Sequence, residues 1–405
     1  MNIIEKCEVC KNTKLKTVLN LGVHPMCDDL VEINNERICK EYPIEILYCE
    51  KCYTAHQKYQ IPKEDLFPKE YHYRAQFTSD VLRGMMDLVD SCKEKYGDIK
   101  DKLVVDIGCN DGSLLDAFLK EGCKTIGVEP TDAYKDAILK EHEVFNNYFN
   151  ENVSKEIVEK YGKPDFITFT NVFAHIENLP ELLNALKVLI GENTVVIIEN
   201  HYLGSVLRSA QFDTFYHEHP RTYSLKSFVF IAESMGMFIG DVRFPSRYGG
   251  NIRVYMSNKI GNNERINEIL KEEESFEKEF KKMVIGIEKW KVKKHNIIKE
   301  YVDKYGKLKA KAFPGRAAIL VKLLEVDENM ISAIYEKPGS KKIGNYLPGT
   351  RIPIVSDELL FERENDGNPI INLAWHISSE IEEYLRKNGY NGEQIDILEK
   401  SDLEE

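Results

Sequence analysis

The chain has no run of apolar residues long enough to span a bilayer, and its opening residues, Met-Asn-Ile-Ile-Glu-Lys-Cys, hold no apolar signal core. A cytoplasmic protein with no membrane partner is the expectation. Positive charge is in deficit: 55 Lys and Arg stand against 67 Asp and Glu, a formal net charge of −12. That balance argues against nucleic acid as the main partner, though not against a phosphorylated small molecule held in a local basic pocket. The nine cysteines are an odd number, so they cannot all pair as disulfides. In a reducing compartment, metal-binding or core roles are favoured instead. Hydrophobic residues at 42% and charged residues at 30% describe a globular protein, and 405 residues exceed what one core usually supports.

Two cysteine pairs stand out. Cys7-Glu8-Val9-Cys10 and Cys49-Glu50-Lys51-Cys52 each place two thiolates on one side of a tight loop, and two such loops complete a tetrahedron around zinc. Four protein ligands make a closed, structural site, in the manner of a zinc ribbon. The other five cysteines read as core or surface residues. A polar aromatic linker with Tyr71, His72, Tyr73 and Arg74 follows, then a helical pattern through Val81, Met85, Met86, Val89 and Cys92.

The apolar run Leu103 to Ile107 reads as a buried parallel strand, and it leads into a turn with Gly108 and Gly112 and then into a helix. Glu129 ends a second strand-like run and can accept hydrogen bonds from both hydroxyls of a ribose. The turn lacks the G-x-G-x-x-G spacing of dinucleotide sites and the Gly-Lys-Ser/Thr of a P-loop. Asp106 and Asp111 would repel a pyrophosphate but suit a cationic ligand such as S-adenosylmethionine. Alternation of helix and strand continues through Asp165–Thr170 and Thr194–Glu199, predicting a doubly wound parallel sheet whose ligand lies at the carboxyl ends of its strands. His175 and Glu199 sit at such ends.

Beyond them, Tyr216-His217-Glu218-His219 concentrates titratable groups that a core would not tolerate without partners. On an extended segment, His217 and His219 share one face, and Tyr216 and Glu218 the other. A metal site built from His217, Glu218 and His219 is then disfavoured, because adjacent side chains cannot converge. Residues 264–309 read as one or two long helices linking domains, and a smaller α/β unit begins near Lys311.

Val105-Asp106-Ile107-Gly108-Cys109-Asn110-Asp111-Gly112 resembles motif I of class I methyltransferases, and Glu129 matches their ribose-binding acid. The whole chain is similar to the deoxysugar C-methyltransferases, which act on nucleotide-linked 4-keto-6-deoxysugars. The four cysteines, Tyr71-x-Tyr73, Asn171-Val172-Phe173-Ala174-His175, Phe212–His219, Pro348–Ile354 and Ala374-Trp375-His376 carry this resemblance. It implies an α/β protein with a zinc-binding module and linker (1–75), a Rossmann-like methyltransferase domain (76–258), a helical connector (259–309) and a second Rossmann-like domain (310–405). It implies Asp106, Gly108, Asn110, Gly112, Glu129 and Asn171 around S-adenosylmethionine, and zinc on Cys7, Cys10, Cys49 and Cys52. His219 becomes the expected base, with Tyr73, His175, Tyr216 and Glu218 lining the sugar site. His175 or a tyrosine hydroxyl would then hydrogen-bond the ketone oxygen. Lys337, Lys341, Lys342 and Arg351 are candidates to meet the sugar-nucleotide diphosphate. The chain departs from the family at Phe313–Ala318, at Glu336–Ser340 and at Tyr248–Asn251. O- or N-methylation of a related sugar is the alternative activity, a silent scaffold the alternative class. Monomer and homodimer are both open.

Overall fold

The computed structural model describes residues 1–62, 66, 74–245, 250–261 and 263–403. Tyr71, His72, Tyr73 and Tyr248 lie outside the described residues, so the expectation for Tyr73 stands apart from the geometry below.

The amino-terminal strands are β1 (Lys16–Pro25), β2 (Glu41–Tyr48) and β3 (Ala55–Gln57), paired antiparallel. The central sheet follows with β4 (Leu103–Ile107), β5 (Lys124–Val128), β6 (Glu143–Phe145), β7 (Phe166–Thr170) and β8 (Val195–His201). All five run parallel, and β4 is buried at every position, as expected of a strand covered by helices on both faces. Next comes the short β9 (Arg221–Thr222), then β10 (Phe238–Arg243) and β11 (Asn251–Ser257). The sheet order is β10-β11-β8-β7-β4-β5-β6. The fully parallel sheet expected from sequence needs one correction: β11 runs antiparallel to β8 and to β10. Only residues 244–250 separate β10 from β11, and neighbouring strands joined by a short connection pair antiparallel. A buried Arg253–Glu199 ion pair at 2.6 Å then locks β11 to β8.

β9 does not join the central sheet. It pairs with β3, so the amino-terminal sheet is completed by a strand from much later in the chain. The carboxyl-terminal sheet is parallel throughout, with β12 (Leu308–Lys311), β13 (Ile331–Glu336), β14 (Ile354–Ser356), β15 (Ile370–Asn372) and β16 (Gln394–Asp396) in the order β14-β13-β12-β15-β16. Strand order reverses between β12 and β15, and the crevice at such a reversal is where ligands enter sheets of this kind.

A helix spanning Phe276–Tyr305 packs on both the amino-terminal and the carboxyl-terminal sheets. Its 30 residues extend about 45 Å. Phe280 packs on Tyr48 of β2, Trp290 packs edge-on against Phe212, and Trp290 Nε1 donates to the Ile397 carbonyl at 3.0 Å. The expected connector is therefore a shared spine. No helix among the described residues is long and apolar enough to cross a membrane.

Candidate active site

The four paired cysteines converge: their Sγ atoms all lie within 4.8 Å of one another, with Cys7 to Cys52 at 3.4 Å and Cys10 to Cys49 at 3.5 Å. A zinc ion with Zn–S bonds of about 2.3 Å sets tetrahedral sulfurs roughly 3.8 Å apart, so the set fits the ion. Donors surround the sulfurs as thiolates require: Asn12 Nδ2 reaches Cys49 at 3.5 Å, the Cys10 amide reaches Cys7 at 3.4 Å, and His56 Nε2 lies 3.3 Å from Cys7. Four protein sulfurs leave no open position, which makes the metal structural.

The glycine turn sits where β4 ends. Gly108 has φ +74°, and a Cβ there would come within 2.5 Å of Val172; Gly112, at φ +76°, is similarly hemmed by His142 and Ala137. Asn110 and Asn171 also adopt positive φ, a conformation Asn tolerates better than most residues. Asn171 follows β7, its amide donating to the Glu199 carbonyl at 2.8 Å and its side chain accepting from Asn251 at 3.0 Å. Glu129 closes the other side. Its Oε2 accepts from the Asn110 amide at 2.9 Å, and its Oε1 from the Thr131 amide and hydroxyl at 2.8 and 2.6 Å. Burial raises the Glu129 pKa, opposed by these hydrogen bonds. Asp106 lies beneath the turn rather than in it: it is buried, accepts from Thr168 Oγ1 at 2.6 Å, and burial lifts its pKa to about 7. Asp111 caps the next helix through Ser113 and receives the Gln76 amide.

The Tyr216–His219 segment is a turn, not an extended strand, closed by the His219 amide donating to the Tyr216 carbonyl at 2.9 Å. This corrects the expected faces. The turn brings the Tyr216 and His219 rings together at 4.3 Å and sends His217 away, its Nε2 lying 3.0 Å from the Tyr42 carbonyl. His175, on the 3-10 turn after β7, packs 4.7 Å from His219, and His201, at the end of β8, 5.2 Å from it. His219 Nδ1 sits 3.0 Å from the Thr214 carbonyl and His175 Nδ1 2.9 Å from the Glu218 carbonyl. A carbonyl only accepts, so each Nδ1 carries the proton and each Nε2 keeps a lone pair. Burial holds the pKa of His175 down to about 4 and that of His201 to about 3; His219 is lower than usual as well, through burial and then its two imidazole neighbours. Glu218 goes the other way, to about 8, because it is buried beside Asp28, with Lys342 opposing.

Residues that follow β12 and β15 pack against the segment that leads into this cluster, a meeting not expected from the sequence. Asp213 accepts from Trp375 Nε1 at 3.0 Å and faces Arg316 Nε at 3.3 Å, while Arg316 Nη1 donates to Thr214 Oγ1 at 3.1 Å. His376, close enough to feel the Arg316 charge, is held to about 3 by burial first. Asp213, Trp375 and His376 lay inside noted motifs, but their meeting with Arg316 depends on two distant segments packing. Of the four candidate diphosphate cations, Arg351 binds the carbonyls of Asn35, Glu36 and Arg37, and Lys342 the Phe313 carbonyl, both structural contacts. Lys337 lies over the Tyr384 ring.

Three family models match successive parts of the chain: a zinc binding domain over residues 7–67, a methyltransferase domain over 76–237, and a C-methyltransferase C-terminal domain over 246–395. The C-methyltransferase NovU of Streptomyces niveus is 27% identical over 402 residues, 95% of this chain and 94% of that protein. Among solved structures, magnesium protoporphyrin IX methyltransferase from Synechocystis PCC 6803 with bound SAM is similar over 44% of this chain and 80% of that one, at 14% identity and a TM-score of 0.33. An O-methyltransferase family protein from Burkholderia thailandensis covers 44% and 57%, at 12% identity and the same TM-score. With all three family models matching in order along one chain, and a C-methyltransferase aligned over nearly all of it, the chain is an S-adenosylmethionine-dependent methyltransferase similar along its length to zinc-binding C-methyltransferases.

Proposed function

We propose that this methyltransferase acts on a nucleotide-linked ketosugar, removing the proton beside the ketone and methylating the enolate carbon. One observation carries the proposal: His219, its Nδ1–H pinned on the Thr214 carbonyl, offers a neutral Nε2 in a ring of groups that can hold a ketone. Carbon becomes a nucleophile only after that proton leaves, so a base is required, and an imidazole kept neutral at pH 7 serves. His219 Nε2 takes the proton and the C–H electron pair moves onto the ketone oxygen. Glu218, protonated at neutral pH, or the Tyr216 hydroxyl offers a hydrogen bond to the developing oxyanion. S-adenosylmethionine supplies an electrophilic methyl group. The new C–C bond would form as the methyl–sulfur bond breaks, its electron pair staying on the sulfur, which restores the ketone; His219 later returns its proton to water. Glu129, with Gly108, Asn110, Gly112 and Asn171 shaping the turn, holds the donor, since Glu129 Oε2 retains a lone pair for a ribose hydroxyl.

Two expectations follow from these positions. Glu129→Ala removes a charge-assisted contact worth about 1.5–3 kcal/mol, so S-adenosylmethionine affinity should fall roughly 10–100-fold by calorimetry; unchanged affinity would place the ribose elsewhere. For pH, His175, held to about 4 by burial, stays neutral from pH 8 down to about 5, and His219 is lowered in the same direction, so no histidine-like loss of turnover is expected on that side. Glu218 has a folded pKa raised to about 8, so the neutral carboxyl, and the stability its burial contributes, are lost as pH rises through that value. A pH profile of kcat should be level below pH 7 and decline above about 8. A profile that instead climbs from pH 6 to 8 would contradict a permanently neutral base. Deuterium incorporation at the sugar α-carbon in heavy water separates this chemistry from O- or N-methylation, which needs no exchange.

A further inference from the structure

Arg221 is fully buried at the exit of the reacting turn, and its donors reach into three segments. Nε donates to Tyr223 Oη at 2.8 Å, Nη1 to Glu8 Oε2 at 2.5 Å and to the Glu177 carbonyl at 3.0 Å, and Nη2 to the Ile176 carbonyl. Glu8 lies inside the Cys7–Cys10 loop, and Ile176 and Glu177 directly follow His175. One planar guanidinium thus joins the metal-binding loop to the backbone that ends the His175 turn, a task its fixed fork suits better than a lysine. Gln60 Nε2 steadies Glu8 from the far side at 2.8 Å. The same module grips the His219 turn by separate contacts. The Gln57 amide donates to the Pro220 carbonyl at 2.9 Å, Gln57 Nε2 to the Tyr216 carbonyl at 3.2 Å, and β9 pairs with β3. Folding of the cysteine loops alone calls for none of these contacts, because the four sulfurs and their donors close the metal site without Arg221.

We infer that Glu8 and Arg221 are positioning residues that transmit the order of the zinc loop to the reacting histidines: zinc sets the Cys7–Cys10 loop, Glu8 holds Arg221, and Arg221 fixes the Ile176–Glu177 carbonyls. The His175 turn is thereby held with its ring 4.7 Å from that of His219. This inference rests on the reading of those two histidines as sugar-site groups.

The test uses full-length, zinc-loaded protein carrying Glu8→Gln, which keeps the shape and an acceptor oxygen but loses the charge, with Arg221→Lys as the second variant. Zinc stoichiometry should stay as in the wild type and S-adenosylmethionine affinity within about twofold. With a nucleotide-linked 4-keto-6-deoxyhexose as probe, kcat should fall roughly 10–100-fold with little change in KM, the range seen when outer partners of metal ligands are removed. Long-range 1H–15N spectra of 15N-histidine protein give the readout that a packing role would not move. Wild type should show His175 and His219 as Nδ1–H tautomers, and both variants, like zinc-stripped wild type, should show mixed tautomers. Variants that keep the wild-type tautomers and kcat while only melting earlier would overturn the inference. Should one variant fail to fold, the other decides by the same tautomer and kcat readouts. If the wild type exchanges no α-proton of the ketosugar, the proposed base fails, yet the histidine spectra still report whether the coupling exists.

Discussion

His219→Gln is expected to lower methyl transfer to a ketosugar by ~10²–10⁴-fold, the usual worth of a positioned general base, while S-adenosylmethionine binds as before. Glutamine approximates the imidazole's size and can still donate to the Thr214 carbonyl, so the turn that His219 shares with Tyr216 should survive. What it lacks is a basic nitrogen. The proposed donor site, on the glycine turn and Glu129, shares no hydrogen bond with His219 among the described residues and should be unaffected. Single-turnover kinetics with the ketosugar and calorimetry with the donor separate the two effects. Turnover within tenfold of wild type would move the base to another residue, with His175 the nearest candidate.

Cys49→Ser should have the largest effect on stability. Structural zinc contributes about 10–16 kcal/mol of apparent binding free energy in small zinc-folded peptides, comparable with the ~5–15 kcal/mol that holds a whole domain together. Losing one thiolate should take zinc from one ion per chain to nearly none and unfold the β1–β3 sheet. One face of the central sheet has a separate buried core, in which Val104, Phe166, Val195 and Ile197 cluster with Leu88 and Phe118, and the sheet should persist and still bind the methyl donor. Metal analysis and thermal unfolding followed by calorimetry test this: the amino-terminal transition should drop to low temperature while a second remains. Full zinc content in the variant would rule out the four-sulfur site.

Much of this architecture was legible in the sequence because its signals are local. Paired C-x-x-C spacing encodes a loop that needs no distant information, and the buried run of β4 followed by Gly108 and Gly112 states its own geometry. Glu129 could be placed because a parallel sheet puts strand ends on one side. Where the reading failed, the deciding forces were not local. The reversed β11 follows from the short β10–β11 connection and the Arg253–Glu199 pair. His217 was expected beside His219, but the hydrogen bond that closes the Tyr216–His219 turn rotates it out toward Tyr42. Ala374-Trp375-His376 carries part of the family resemblance, but no local signal places it beside Asp213 and Arg316; the reversal of strand order between β12 and β15 brings them together.

The strand β9 also has a consequence for synthesis on the ribosome. The zinc loops are complete once Cys52 emerges, but the sheet they anchor lacks its edge partner until Arg221 and Thr222 appear. At ~5–20 residues per second, the nascent module waits on the order of ten seconds or more with β3 open to any passing strand. Over that interval early metal capture protects the chain, and a zinc-starved cell should accumulate this protein as aggregate rather than as inactive enzyme.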